Sequence, residues 1–381
     1  MKKSLIIAAL ALCASLGAMA QTTQKLTATK ASEYGIIYSL PTTVIDVTIE
    51  TEKVVEKPGE FYRYAKKYFN TNNAINSESQ SVRLKSITLT PRGVANSQQQ
   101  YLMQFKSGSA PFLIINNENI PLAINTDEIP ELVQPNLPKP QAALPSALET
   151  KAAQQVISKE MAQSQSSAKR AEIAANQLFE LRQTRQDILN GEAEQMPADG
   201  EAMQITLNNI QAQEDALIAM FMGTTQVSTD VKTITITPTD AVEREVIARI
   251  SASEGVIDAN NLAGEPIYLS IEIIEKGELP TNDKGVSKTF PKGGVAYNIP
   301  GKIAVNIEYQ GKTFSNKTIA SAQHGVVFGI DPKMFSDKKA PAYLLFDPIT
   351  GSIKELGAVS NLSEWAEKKN ISNKTSTTLR K

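Results

Sequence analysis

The chain has 381 residues, 41% of them hydrophobic and 21% charged, and a formal net charge of −1. This composition is that of an ordinary globular protein rather than a disordered chain, and the near-neutral charge gives a nucleic-acid partner no electrostatic footing. There is one cysteine and one histidine, so zinc would have only carboxylates to add to a single imidazole.

Residues 1–20, MKKSLIIAALALCASLGAMA, carry Lys2 and Lys3, an apolar run from Leu5 to Leu16 and small residues at Ala18 and Ala20. This is the pattern of a cleaved secretory signal. Cys13 lies inside the apolar run behind Leu12, which disfavours acylation there, and cleavage leaves no cysteine for disulfides or nucleophilic catalysis. No later stretch has the roughly eighteen consecutive apolar residues of a membrane span. What remains is longer than one hydrophobic core usually serves, which predicts two domains or more.

Residues 21–129 read as an N-terminal β domain. VIDVTIE puts Ile45, Val47 and Ile49 on one face, and VRLKSITLT alternates Val82, Leu84, Ile87 and Leu89 with one slip, the signature of a bulge. Residues 130–147 are rich in proline and predict a stiff, extended linker. Residues 148–222 hold strong helix formers with almost no Gly or Pro, broken once at NGEAEQMPADG, which predicts an antiparallel helical hairpin. In that break Gly191 suits a left-handed helix end, and Pro197, Asp199 and Gly200 complete the loop, with Asp199 as the expected cap. A helix from about 148 to 190 would be roughly 60 Å long and its partner roughly 33 Å, so the first is expected to outrun the second. Residues 223–360 carry about eight short strands separated by turn clusters, as in a sandwich. FDPITG, residues 346–351, reads as a hairpin turn with a glycine bulge. Residues 361–381 begin amphipathic around Trp365 and continue as a polar tail. YSLP at Tyr38 and YNIP at Tyr297 echo one another ahead of alternating strands. Either the two β regions are related modules or proline has twice opened an edge strand.

On the second helix Met203, Leu207, Ile210, Leu217 and Phe221 share a stripe with Glu214 in its middle. At 100° per residue the matching stripe on the first helix holds Ala171, Leu178 and Leu189, and with them Arg182 and Arg185. A desolvated arginine without a carboxylate costs several kcal/mol. The preferred reading is therefore a pairing of Arg182 or Arg185 with Glu214 that fixes register. The alternatives are a guanidinium facing an anionic ligand or a neighbouring domain, and simple solvation. A lone hairpin is marginal, so it is expected to dock.

Catalytic chemistry is sparse. Ser-His-Asp catalysis would depend on His324, there is no Gly-x-Ser-x-Gly elbow, and SAQHGVVFG suggests a turn or surface position for the imidazole. Glu192, Glu194, Asp199 and Glu201 crowd the hairpin loop without the spacing of a calcium loop, and acids there suit a helix N-terminus. In GEFYRYAKKYFN, Phe61, Tyr62, Tyr64 and Tyr68 could stack on sugar rings if exposed, but Phe61, Tyr64 and Tyr68 are also spaced as the inner face of a short helix.

Taken together, YSLP with KPGEFYRYAKKY, LRQTRQDILNGEAEQMPADG with QEDALIAMFMGT, and YNIPGKIAVNI with AQHGVVFG resemble an uncharacterised family of secreted Bacteroidetes proteins, a domain of unknown function. The likeness runs from about Tyr34 to Leu356 and implies an envelope protein with a β, helical hairpin, β layout. It supplies no catalytic residues. The sequence thus predicts an α+β protein, two sandwich-like β domains separated by an antiparallel helical hairpin. It needs no cofactor or metal, and its expected partners are envelope proteins. A glycan-binding module or a carboxylate-based hydrolase is the alternative.

Overall fold

The computed structural model describes residues 34–105, 112–130, 137–197, 200–337 and 339–359. The leader at 1–20, Asp199 and the tail at 361–381 lie outside the described residues. The fold is mixed α+β and mostly β, with three antiparallel sheets.

The first strand organises the molecule. β1 (Tyr34–Lys57) pairs with β2 (Ser79–Phe105) on one edge and with β5 (Thr224–Ile236) on the other, so the first sheet has the order β2-β1-β5. Alternation in β1 sends Ile45, Val47 and Ile49 inward, and Ile87 and Leu89 of β2 join them. Opposite them stands the sheet of order β10-β9-β8-β6-β7, formed by β6 (Val242–Ser251), β7 (Gly255–Asp258), β8 (Glu265–Glu275), β9 (Val295–Tyr309) and β10 (Lys312–Ile330). Its Ile267, Leu269, Ile271, Ile303, Val305 and Ile307 meet the first sheet in one apolar layer, as face-to-face sheets require.

The third sheet mixes the two ends of the chain. β3 (Leu113–Ile115) and β4 (Pro121–Ile124) come from before the helical hairpin, while β11 (Ala342–Phe346) and β12 (Ile353–Ala358) come from after it; the order is β12-β11-β4-β3. It encloses a second core with Tyr38, Leu40, Met103, Val295, Ile330 and Phe335. The expected separation into one β domain before the hairpin and another after it therefore gives way to an interleaved arrangement. The physical reason is that β1 is buried on both faces and needs a partner on each edge, and β5, from beyond the helices, supplies one along Ile45–Lys57.

Two sequence signals meet their structural counterparts in the strands. The slip between Leu84 and Ile87 is a bulge: Glu50 pairs with Ser86 and Thr51 with Leu84, leaving Lys85 over. The paired YSLP and YNIP stretches each lie at a register break of a long hairpin, one residue out of step with each other. In each, four residues of the return strand, 96–99 or 322–325, stand against one residue of the outgoing strand, Leu40 or Pro300.

The helices are α1 (Ala65–Phe69), α2 (Lys151–Gln155), α3 (Lys159–Gln163), α4 (Ser167–Asn190), α5 (Glu201–Met222) and the short α6 (Lys333–Ser336). The expected single helix from 148 to 190 is broken into pieces because its hydroxyl residues act as caps: Thr150 accepts from Ala153 N, Ser158 from Met161 N and Ser166 from Lys169 N. α4 has 24 residues and α5 has 22, so the long helix does not outrun its partner. The proline-rich segment is not a free linker either. Gln141 forms a β-bridge with Thr229 on the outer edge of β5, covering part of an edge that would otherwise be open.

Candidate functional site

α4 and α5 pack antiparallel along a seven-residue repeat. On α4 the inner positions are Ala171, Leu178 and Arg185 alternating with Ala174, Leu181 and Ile188; on α5 they are Ile210, Leu217, Glu214 and Phe221. A straight 100° projection drifts about 20° per heptad from such a repeat, which is why it selects Leu189 and Arg182. Leu189 is in fact 62% exposed while Ile188 is buried, and Arg182 faces outward. Arg182 is therefore not in the seam. Arg185 is: its Nε lies 3.2 Å from Glu214 Oε1, and the Glu214 side chain is 2% exposed. The contact is an ion pair without hydrogen-bond alignment at that oxygen, so charge attraction rather than a directional bond holds it. Arg185 also donates to Gln211 Oε1. Gly191 ends α4 in the left-handed conformation at φ 77, and its N–H donates back to the Asp187 and Ile188 carbonyls. α5 begins after Gly200, which has φ 72 and offers no side-chain cap; Pro197 is half-buried in the connection.

The aromatic stretch is the socket of this hairpin. Phe61 is fully buried, and its ring lies 5.4 Å from Phe221 near the end of α5, with Tyr68 and Phe69 at 5.9 and 4.9 Å from the same ring. Tyr64 packs into the same cluster. The loop also closes the helix end: Phe61 N donates to Met220 O at 2.7 Å and Ile75 N to Met222 O at 2.9 Å, satisfying carbonyls that a helix terminus leaves without partners. Gly59 makes the approach possible, since a Cβ there would sit 2.3 Å from Met220 O. Arg170 lies over the Phe61 ring at 5.7 Å and pairs with Glu60. Of the possible sugar platform of Phe61, Tyr62, Tyr64 and Tyr68, Phe61 is enclosed and cannot stack on a ligand, while Tyr64 and Tyr68 are partly buried against the same cluster. Tyr62 is half-exposed and is covered by the Arg63 guanidinium at 5.6 Å.

A third cluster, at the junction of the sheets, was not selected from the sequence. β5 ends at Ile236, so Thr43 of β1 has no strand on that side. The side chain of Gln323 takes the strand's place: Oε1 accepts from Thr43 N at 3.1 Å, and Nε2 donates to Thr43 O and Pro238 O at 2.9 Å each. Thr43 Oγ1 accepts from Ala322 N and donates to Ile349 O, tying in the FDPITG turn, where Gly351 has φ 72. Asn298 Nδ2 donates to Ala322 O and Thr350 O. His324, expected in a turn or at the surface, lies in the irregular excursion 322–325 and is 8% exposed, with Nδ1 2.8 Å from Ser321 Oγ. Ser321 is fully enclosed, and its hydroxyl and the imidazole form a packed polar contact. The sequence signal that could have found this cluster is the YNIP echo, because the excursion opposite its proline is Ala322–Gly325.

The outer face of the first sheet carries a ladder of charged pairs. Hydrogen bonding from Lys85 holds the Glu50 carboxyl below its usual value, and Lys85 Nζ and Ser86 Oγ both lie 2.8 Å from it. For Asp46 burial pushes upward, but hydrogen bonds from Arg92 and Thr235 outweigh it and the net shift is down. The Tyr38 hydroxyl is driven far up by burial, and it bridges Ala296 N and O. Among the described residues no three His, Cys, Asp or Glu side chains are placed to hold a metal ion, and no helix is long and apolar enough to cross a membrane.

No curated protein and no solved structure matches the chain. A family model described as a domain of unknown function, DUF4831, matches residues 34–354, a span that runs from the first residue of β1 into β12 and takes in the seam, the socket and the junction alike. The chain belongs to the DUF4831 family.

Proposed function

We propose that this chain is a non-enzymatic component of the cell envelope that acts by binding other proteins, with the helical hairpin as a contact surface. The leader-like residues 1–20 and the likeness to secreted Bacteroidetes proteins support export to the periplasm or the cell surface. The observation that carries the binding reading lies at the closed end of the hairpin. Leu189 in the last turn of α4, Met196 in the connection and Ile205 early in α5 are 62%, 45% and 53% exposed. Large apolar side chains left exposed near the turn of a hairpin are what a protein-binding surface can draw on. The charged and aromatic groups of the seam, the socket and the junction are meanwhile occupied with one another.

The full chain used as bait in envelope extracts is expected to retain a partner. Leu189→Glu combined with Ile205→Glu should abolish that retention without lowering the unfolding temperature, since neither side chain is buried. Recovery of no partner, or equal recovery by the variant, would remove this reading.

A further inference from the structure

We infer that the open edge of β5 beside the proline-rich segment is a docking site for an extended peptide of a partner protein, which adds to the sheet as an antiparallel strand. β5 is an outer strand, with β1 on one edge only. Gln141 and Thr229 exchange both main-chain hydrogen bonds, at 3.0 and 2.9 Å, so the N–H and C=O of Thr229 point away from β1. Strand parity then aims the same groups of Thr225 and Val227 outward. Among the described residues neither has a main-chain partner on that side.

The protein's own segment cannot take those positions. Continued pairing from Gln141 would set residue 145 opposite Thr225, and Pro145 has no N–H to give. The segment departs instead, held by Gln226 Nε2 donating to Leu144 O at 3.1 Å. Between it, α5 and β5 lies a groove of about 580 Å³ whose walls include Ala142, Leu144, Ile218, Ala219 and Val227, with Asp215 its one charged residue. Leu144 and Val227 are 75% and 46% exposed. The volume falls in the range of ligand sites.

These features specify the occupant. It is extended, so that it can exchange main-chain hydrogen bonds with Thr225 and Val227. It has no proline at the positions facing β5, it turns apolar side chains toward Ile218 and Leu144, and it carries a basic residue near Asp215. The site is separate from the hairpin tip, so either proposal can fail alone.

The test uses the full chain to select peptides from a random displayed library, after which the selected peptides are resynthesised with single N-methyl groups. Affinity is expected to fall about tenfold or more at every second peptide bond. Val227→Pro, whose nitrogen faces away from β1, should weaken the same peptides by about tenfold or more. A methylation profile without the two-residue period overturns the inference, as does binding that survives Val227→Pro in a folded variant. Selection of no peptide above background overturns it too. Should Val227→Pro fail to fold, the methylation profile decides, because it leaves the protein unchanged.

Discussion

Glu214 is 2% exposed on its side chain and Arg185 is 36% exposed, so the two partners of the seam are not equivalent. Removing the arginine strands a buried carboxylate, whereas removing the acid leaves a guanidinium that can still reach water. Arg185→Met is therefore expected to cost about 3 kcal/mol in chemical denaturation, more than Glu214→Leu, and Arg182→Ala less than about 0.5 kcal/mol. The double substitution should show a coupling of about 1 kcal/mol or more; a coupling near zero would remove the pair as a determinant of register. The opposition of charge was legible in the sequence because Glu214 interrupts an apolar stripe. Which arginine answers it was not, because a choice between Arg182 and Arg185 turns on whether the helix repeats every 3.5 or 3.6 residues. Gln323 was illegible for a different reason: the YNIP echo marks the excursion that carries it, but a glutamine that stands in for a strand has no signature of its own.

At the scale of elements, the hairpin is held by the loop that grips its end as well as by its own seam. Gly59 approaches the α5 carbonyls so closely that Gly59→Ala would require backbone movement. The helical unit should then loosen before the sheets do: amide hydrogen exchange in α4 and α5 is expected to speed up by about tenfold or more relative to that in β8 and β9. Equal acceleration in all four would mean that helices and sheets unfold together. Hairpin and strands were readable from periodicity, as was the bulge at Lys85, because each leaves a local pattern. The breaks at Thr150, Ser158 and Ser166 were missed although capping residues are a recognised stop signal; Ala and Gln around them raised helix propensity enough to hide it.

For the whole molecule, the sheets cross the boundary that composition suggests. Residues 223–360 carry nearly all the strands of a sandwich, yet within the described structure they lack the β1 and β2 layer that covers Ile267, Leu269 and Ile303, and the β4 partner of β11. Expressed alone, this fragment is expected to show no cooperative thermal transition, and calorimetry would record it; a sharp transition would establish an independent C-terminal domain. Pairing between strands hundreds of residues apart leaves no mark in local pattern, so the strands could be read where the sheets could not. The placement of β1 also sets an order of events during synthesis. The strand made first is completed by material made late: Tyr38 waits for Ala296, and Thr43 for Ile349. A polypeptide with such long closures gains little by collapsing early, so most of it must emerge from the ribosome before the architecture can form.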